Sequence, residues 1–323
     1  MICAKDEYEN LKNNLPFILN QDYKDYEVVV VNDASEDETT DLLAELSMKH
    51  KHLKIVNIKQ DLNFFKGKKF PLSIGIKSAK NDIILLTDAD CRPSGNKWIS
   101  RMQSLFKGNK SIVLGYGAYE SRKGVLNKII RYDTIHIAIQ YLSFAMAGLP
   151  YMGVGRNLAY RKSLFYANSG FISHYRISSG DDDLFINKVA NKKNTTISVH
   201  HESHSISSAT TSFKKWLMQK KRHVSTARYY KFKHKFMLGC YVITQFFFFF
   251  SFILLMVLNQ NIIWVLPLFI LKLLSQLVLF KNCMNRLNEK NLLLISPLIE
   301  VFITILNPIL TLSNLIFKRN KWK

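Results

Sequence analysis

Cysteine is scarce in this chain, and its few copies are not spaced to act together. Cys3, Cys91, Cys240 and Cys283 contain no Cys-x-x-Cys pair, which argues against a zinc site and against a disulfide framework. Reduced thiols in a cytosolic domain and a membrane are the simple reading. Acidic residues are also few. The 24 Asp+Glu stand against 45 Lys+Arg in 323 residues, a formal net charge of +21. That excess excludes a near-neutral cytosolic enzyme and calls for an anionic partner: nucleic acid, anionic lipid headgroups or a phosphorylated substrate. A glycine-rich phosphate loop near the N-terminus is missing, which disfavours a nucleotidyltransferase, and Gly153-Val-Gly-Arg lacks the third glycine of a dinucleotide fingerprint. No signal peptide is expected. The chain opens almost inside its first strand (Met1-Ile2-Cys3-Ala4), which suggests a start further upstream or a shortened strand.

What is present is a regular alternation. Residues 7–20 place Leu11, Leu15, Ile18 and Leu19 on one helical face. Tyr26–Val31 is a β-branched strand ending in Asn32-Asp33-Ala34-Ser35. A helix with Leu42, Leu43 and Leu46 inward follows, then a strand at Leu53–Ile58. Gly67-Lys68-Lys69 introduces a helix with Leu72, Ile76 and Ala79 inward, and Ile83–Thr87 is a fourth strand, apolar enough to be buried on both faces. Strands alternating with helices predict an α/β, doubly wound, mostly parallel sheet, and right-handed crossovers place Asp33 and Asp88 at the same sheet edge. Ligands collect at the carboxyl ends of such strands. Asp88 and Asp90 stand there two residues apart and repel each other unless a cation sits between them. A divalent ion holding a diphosphate suits that geometry. An isolated Asp-x-Asp more often caps a helix, and Asp33 could equally form an Asx-turn.

The residues Val28-Val-Val-Val-Asn-Asp-Ala-Ser35, then Thr87-Asp-Ala-Asp90, with the opening Ala4-Lys5-Asp6-Glu7, resemble family 2 glycosyltransferases of the GT-A (Rossmann-like) fold. The resemblance covers about 1–235. It implies that Asp33 contacts the nucleotide base, Asp88 lies near the ribose, and Asp90 holds the metal, Mg²⁺ or Mn²⁺, with Asp88 beside it. Ala4, Glu7 and Lys69 fall at positions that border the nucleotide sugar. Asp6 replaces the usual Asn. Gly153-Val-Gly-Arg-Asn-Leu-Ala-Tyr-Arg161 is similar to the segment lining the donor and acceptor pocket, with Asn157 toward the acceptor; otherwise it is a glycine-rich turn between strands.

Ser179-Gly-Asp181-Asp182-Asp183-Leu184 begins a helix, and acids there suit the dipole. Inverting sugar transfer needs a carboxylate base. The family pattern lays Asp181 on that position, with Gly180 replacing a Glu, and a register shift would give Asp182. Asp183 reads as a cap. His200, His201 and His204 read as an exposed strand edge or as metal ligands. Ile112–Tyr116 is a fifth strand. Residues 124–147 form a long helix, either a core helix or one apposed to a membrane. Phe213–Tyr230 is a basic amphipathic helix carrying Gln219-Lys-Lys-Arg-His223. That resembles the Gln-x-x-Arg-Trp motif of processive synthases, which implies acceptor contacts from Gln219, Arg222 and His223, although His223 in place of Trp alters the aromatic platform. A surface helix held to anionic lipid by charge is the other reading.

After residue 235 a membrane domain is expected. Spans at about 236–258 and 262–280 are apolar and long enough to cross, with Lys272 the ionised residue inside the second. Residues 292–317 are a third span or, because Pro297, Glu300, Asn307 and Pro308 interrupt them, a re-entrant or interfacial helix pair. Basic Lys281–Lys290 and the tail Lys318–Lys323 then face the cytoplasm with the catalytic domain, in a multi-pass protein of the inner or plasma membrane. The resemblance implies a metal-dependent, hexosyltransferase-type inverting glycosyltransferase. Its donor is a nucleotide-diphosphate sugar, a UDP-sugar first, its acceptor is lipid-linked or a glycan, membrane lipids surround it, and nucleic acid is not a partner. The alternative is a non-catalytic membrane adaptor for anionic lipid or polymer, but such an adaptor gains nothing from acids at strand ends.

Overall fold

The computed structural model describes residues 1–59 and 67–316. Within them the chain divides into two compact units. The first comprises Met1–Glu120 and His136–Ala209, the second Ser121–Ile135 and the chain from Thr210 onward. The expected boundary at 235 therefore falls inside the second unit.

The first unit begins with β1 (Ile2–Ala4), α1 (Tyr8–Leu19), β2 (Val28–Asp33), α2 (Thr39–Lys49), β3 (Leu53–Ile58), α3 (Lys69–Ser78) and β4 (Ile83–Leu86). β5 (Cys91–Pro93), α4 (Trp98–Gln103), β6 (Ile112–Gly115) and β7 (Gly117–Tyr119) follow, and the long helix α5 (Val125–Met146) is shared with the second unit. β8 (Leu158–Arg161), α6 (Lys162–Ala167), α7 (Asp183–Val189), β9 (Thr195–Ser198) and β10 (Ser205–Ser207) complete it.

Four valines in a row make β2 the centre of the core. Val28, Val29, Val30 and Val31 are all buried, and α1 packs Leu11, Leu15, Ile18 and Leu19 into the same layer with Leu43 of α2. Each such side chain contributes roughly 1.5–3 kcal/mol on burial. β2 pairs with β1 and β3 in parallel. The Met1 amine donates to the Leu85 carbonyl (2.7 Å) and the Thr87 amide donates to the Met1 carbonyl (3.2 Å), so β1 runs beside β4. Beyond β4 the sheet turns mixed. β8 is antiparallel to both β4 and β6, and β6 is parallel to β9. β4 is not buried on both faces as expected: Ile84 and Leu86 are buried, while Ile83 and Leu85 are half-buried. A small second sheet, β5-β10-β7, went unread because three-residue strands carry no periodicity.

The second unit holds the start of α5, then α8 (Phe213–Thr226), α9 (Phe232–Val257), α10 (Ile262–Arg286) and α11 (Ser296–Ile316). Three of these helices, α9, α10 and α11, are long and apolar enough to cross a membrane. Asn259 and Asn261 take positive φ (51° and 50°) to turn α9 into α10, a conformation Asn tolerates better than most residues. α11 is one continuous helix, so of the two readings of 292–317 the broken helix pair is not the one that forms. Pro297 sits in its first turn, where a missing N–H costs nothing. Glu300 is buried and accepts from Lys272 (3.1 Å) and Gln276 (2.6 Å), so the two charges inside the apolar helices satisfy each other. Arg131 of α5 pairs with Glu289 (2.6 Å), both side chains 4% exposed, and Lys220 of α8 pairs with Asp133 (2.6 Å). The basic tail Lys318–Lys323 lies outside the described residues, as does the last residue of the 292–317 stretch.

Candidate active site

The carboxyl ends of β1, β2 and β4 define the site. After β1, Asp6 takes a positive φ of 56°. Its amide donates to Ser35 Oγ (3.0 Å), and its carboxylate accepts from the Glu36 amide (2.8 Å). The Glu7 amide donates to Thr39 Oγ1 (3.0 Å) and the Tyr8 amide to Asp37 (3.1 Å). These bonds zip the loop after β1 to the loop after β2. A cavity of about 300 Å³ opens beside them, lined by Asp6, Glu7, Tyr8, Asn10, Asp37 and Glu38. Asp33 ends β2, half-buried and in register with Ile58. Ala4 is buried, so it brings only backbone to the site.

Asp88 and Asp90 follow β4. Oxygens of both and Cys91 Sγ all lie within 4.8 Å of one another, the metal-competent group found among the described residues. Two carboxylates are the hard donors Mg²⁺ and Mn²⁺ prefer, so the donor set fits. Cys91 is fully buried; its thiol donates to Asp90, and burial pushes its pKa well above the usual thiol value. It supports Asp90 rather than offering a third ligand. Asp90 opens to solvent. Desolvation by the surrounding protein, then the Asp88 charge, raise its pKa. Glu7 is raised by burial too, with Asp90 and Asp88 adding to it.

Among the described residues, Lys68 donates to the Asp88 carboxylate. Burial alone would lower the Lys68 pKa, but Asp88, Cys3 and Asp181 hold it above the ordinary lysine value. Lys69, the residue expected here, is 3% exposed. Its ammonium donates to the carbonyls of Ile177 and Ser179. Lys69 therefore ties down the loop that carries the acid cluster. One helical step is a rotation of 100°, which is why adjacent lysines do different work.

The acid cluster divides the same way. Asp182 is the N-cap of α7: one oxygen accepts from the Asp183 amide (2.7 Å), and the other accepts from the Gly155 amide (2.7 Å). Asp183, expected as the cap, is instead the buried first residue of the helix and accepts from the Leu184 amide. Asp181 is left half-buried, and burial followed by the neighbouring Asp182 raises its pKa from 3.8 to about 6. It is also close enough to Lys68 and Asp88 for their charges to act on it. Asp182 is raised to about 6 by burial and Asp183.

Asn157 is fully buried and accepts from Trp98 Nε1 (3.0 Å) while donating to the carbonyls of Tyr116 (2.7 Å) and Ser203 (2.8 Å). The side chain, expected toward the acceptor, holds the loop before β8 in place. Arg156, unremarked in the sequence, carries its guanidinium over the Tyr119 ring (4.3 Å) and donates to Ser207 (3.2 Å). Its charge reaches Asp90. His200 and His201 stack, whereas His204 is buried edge-on against Tyr116. His200 and His201 are exposed, but on a 3-10 turn rather than a strand edge, and the three form no ligand group among the described residues. Gln219, Arg222 and His223 lie on α8 in the second unit, with Arg222 and His223 exposed.

The glycosyl transferase family 2 model matches residues 1–168, which takes in every strand end just described except the loop of Asp181. The chain belongs to glycosyl transferase family 2. Curated members similar to it include the probable glycosyltransferase YdaM of Bacillus subtilis, 29% identical over 182 residues (53% of this chain, 42% of that protein). The poly-beta-1,6-N-acetyl-D-glucosamine synthase of Staphylococcus epidermidis is 27% identical over 138 residues (42% of this chain, 32% of that protein). An uncharacterized glycosyltransferase of Haemophilus influenzae is 30% identical over 121 residues (37% of this chain, 35% of that protein). This family 2 chain thus spans less than half the length of those relatives. The mannosyltransferase PcManGT of Pyrobaculum calidifontis, solved with GDP-Man and Mn²⁺, shares the GT-A fold at 17% identity and a TM-score of 0.60, covering 97% of this chain and 86% of that one.

Proposed function

We propose that this family 2 chain moves a sugar, with inversion, from a nucleotide-diphosphate sugar to a membrane-associated acceptor. The observation that supports this best is the ion pair of Lys68 with Asp88, which stands beside Asp90 and within electrostatic reach of one raised carboxyl, Asp181. Asp33 and Glu7 border the base and ribose in this reading. Asp88 and Asp90 hold Mg²⁺ or Mn²⁺, which when bound would neutralise the departing diphosphate. Lys68 supplies a further positive charge for the phosphates. Asp181 takes the acceptor hydroxyl proton as that oxygen attacks the anomeric carbon. Its pKa suits the task, because a base works best near the operating pH. Asp182 is the weaker candidate, since both its oxygens already accept backbone amides.

The donor we favour is a UDP-sugar carrying a hexose. The relative named for poly-beta-1,6-N-acetyl-D-glucosamine synthesis makes an envelope glycan or lipid-linked sugar the natural acceptor class. The apolar helices α9–α11 anchor the protein in the cell membrane in this reading, with the catalytic unit cytoplasmic and Gln219, Arg222 and His223 serving the acceptor. The test is a panel of UDP- and GDP-sugars with the full chain in detergent, reading nucleotide diphosphate release with Mn²⁺, Mg²⁺ or chelator. Release from one donor that requires metal supports the reading; no release from any donor, or release indifferent to chelator, overturns it.

A further inference from the structure

The loop from α10 to α11 borders an open pocket of about 710 Å³ within the second unit. Three lysines line it: Lys128 from α5, Lys281 from the last turns of α10, and Lys290 from the loop. Their ammonium groups have no ion-pair or hydrogen-bond partner among the described residues. The acid in the wall, Glu289, is already neutralised by Arg131, which donates to it twice (2.6 and 3.1 Å). Asn285 of α10 and Asn288 and Asn291 of the loop add amide donors, and the loop has a defined fold. Asn288 and Asn291 take positive φ (55° and 62°), the Glu289 amide donates to the Met284 carbonyl (2.8 Å), and Leu287 and Leu292 are buried anchors.

The lip is of opposite character. Leu294, which also lines the cavity, is 95% exposed. From it an exposed apolar row continues down α11 through Leu298, Phe302, Ile305 and Ile309, at the spacing of one helical face. A cationic, amide-lined pocket thus opens at the head of an apolar stripe, at the end of two helices able to cross a membrane.

We propose that this cavity binds the phosphate monoester headgroup of a membrane lipid, with the tail lying along the α11 stripe. Three unpaired cations match a dianionic monoester better than the single charge of a phosphodiester, and the stripe excludes a free anion as the intended ligand. The site lies in the apolar unit and does not require the catalytic reading above.

The full chain is reconstituted in nanodiscs of phosphatidylcholine containing one-tenth phosphatidic acid or one-tenth phosphatidylglycerol, and bound lipid is counted by native mass spectrometry. The expected result is retention of phosphatidic acid in preference to phosphatidylglycerol, not displaced by millimolar inorganic phosphate. A basic residue near a membrane surface is worth about 1 kcal/mol, so Lys281→Gln/Lys290→Gln together should weaken retention roughly 25- to 30-fold at 1.4 kcal/mol per tenfold. Lys214→Gln/Lys215→Gln, on the exposed face of α8, removes the same charge elsewhere and should change it little. Near-equal retention of the two lipids, equal loss in both double variants, or displacement by inorganic phosphate would each overturn the site. An unchanged melting temperature in the Lys281/Lys290 variant excludes unfolding as the cause of loss.

Discussion

Replacing Asp181 by Asn should make the protein more stable and nearly inactive at once. The stability part comes from the raised carboxyl. An ordinary Asp titrates near 3.8, and Asp181 is held at about 6. The native state therefore keeps a proton that the unfolded chain gives up, so stability falls as pH rises from about 4 to 6 and stays reduced above that. Moving a pKa across that interval corresponds to about 3 kcal/mol at 1.36 kcal/mol per unit. Asp182 is raised alongside it, so the two carboxyls share the penalty and Asp181→Asn should recover about 1–2 kcal/mol at pH 7. Below pH 4 wild type is protonated in both states, and the difference should vanish. The activity part is separate: loss of a general base costs about 10²–10⁴ in turnover, with donor affinity nearly unchanged. Melting curves of wild type and variant at pH 4, 5, 6 and 7, beside steady-state rates, test both. A variant that melts below wild type at pH 7, or a gap that does not grow with pH, would show that Asp181 is not held against its own ionisation. Retained turnover would remove it as the base.

Wild-type kcat/KM should climb through an apparent pKa near 6, and the Asp181→Asn remnant should be flat over the same range. Asp90→Asn should nearly abolish transfer and weaken Mn²⁺ binding measured by calorimetry while leaving the melt intact, because the group opens to solvent. Lys68→Gln should raise the donor KM at least tenfold, whereas Lys69→Gln should lower the melting temperature by several degrees with a smaller KM change; reversed effects would restore the original lysine assignment. Asn157→Ala should cost about 2–3 kcal/mol, since it leaves the buried Trp98 Nε1 and the Ser203 carbonyl without their partner and takes one of two donors from the Tyr116 carbonyl, measurable by denaturant unfolding. A cysteine placed at Asn261 should be labelled from the opposite side of closed vesicles to one at Lys5, and equal labelling would refute an anchored topology with a cytoplasmic catalytic unit.

The strand ends were legible because their signal is local. Val28–Val31 could only be a buried strand, and Asp33, Asp88 and Asp90 follow strands directly. What was illegible depends on rotation or on distance. Lys68 and Lys69 differ by one helical step, and only burial of Lys69 behind Ile177 and Ser179 decides which faces Asp88. Asp182 caps α7 with one oxygen, and its second is taken by the Gly155 amide from 27 positions away, which no local pattern reveals. Asn157 read as a pocket residue since it sits in a glycine-rich loop; its three partners come from α4, the end of β6 and the turn before β10. The prolines near α11 suggested a break because sequence does not show that one lies in a first turn. The other, Pro308, is held inside a helix packed against its neighbours.

The pairing of Arg131 with Glu289 bears on how the protein is made. The partners are 158 residues apart. At ribosomal speeds of about 5–20 residues per second, Arg131 waits roughly 8–30 s for its carboxylate, and a buried guanidinium without one is strongly unfavourable. The first segment of the second unit therefore cannot settle until the turn after α10 has been synthesised. Trimming the apolar helices to obtain a soluble catalytic fragment should for the same reason yield aggregate, unless Arg131 is replaced by an uncharged residue of similar bulk.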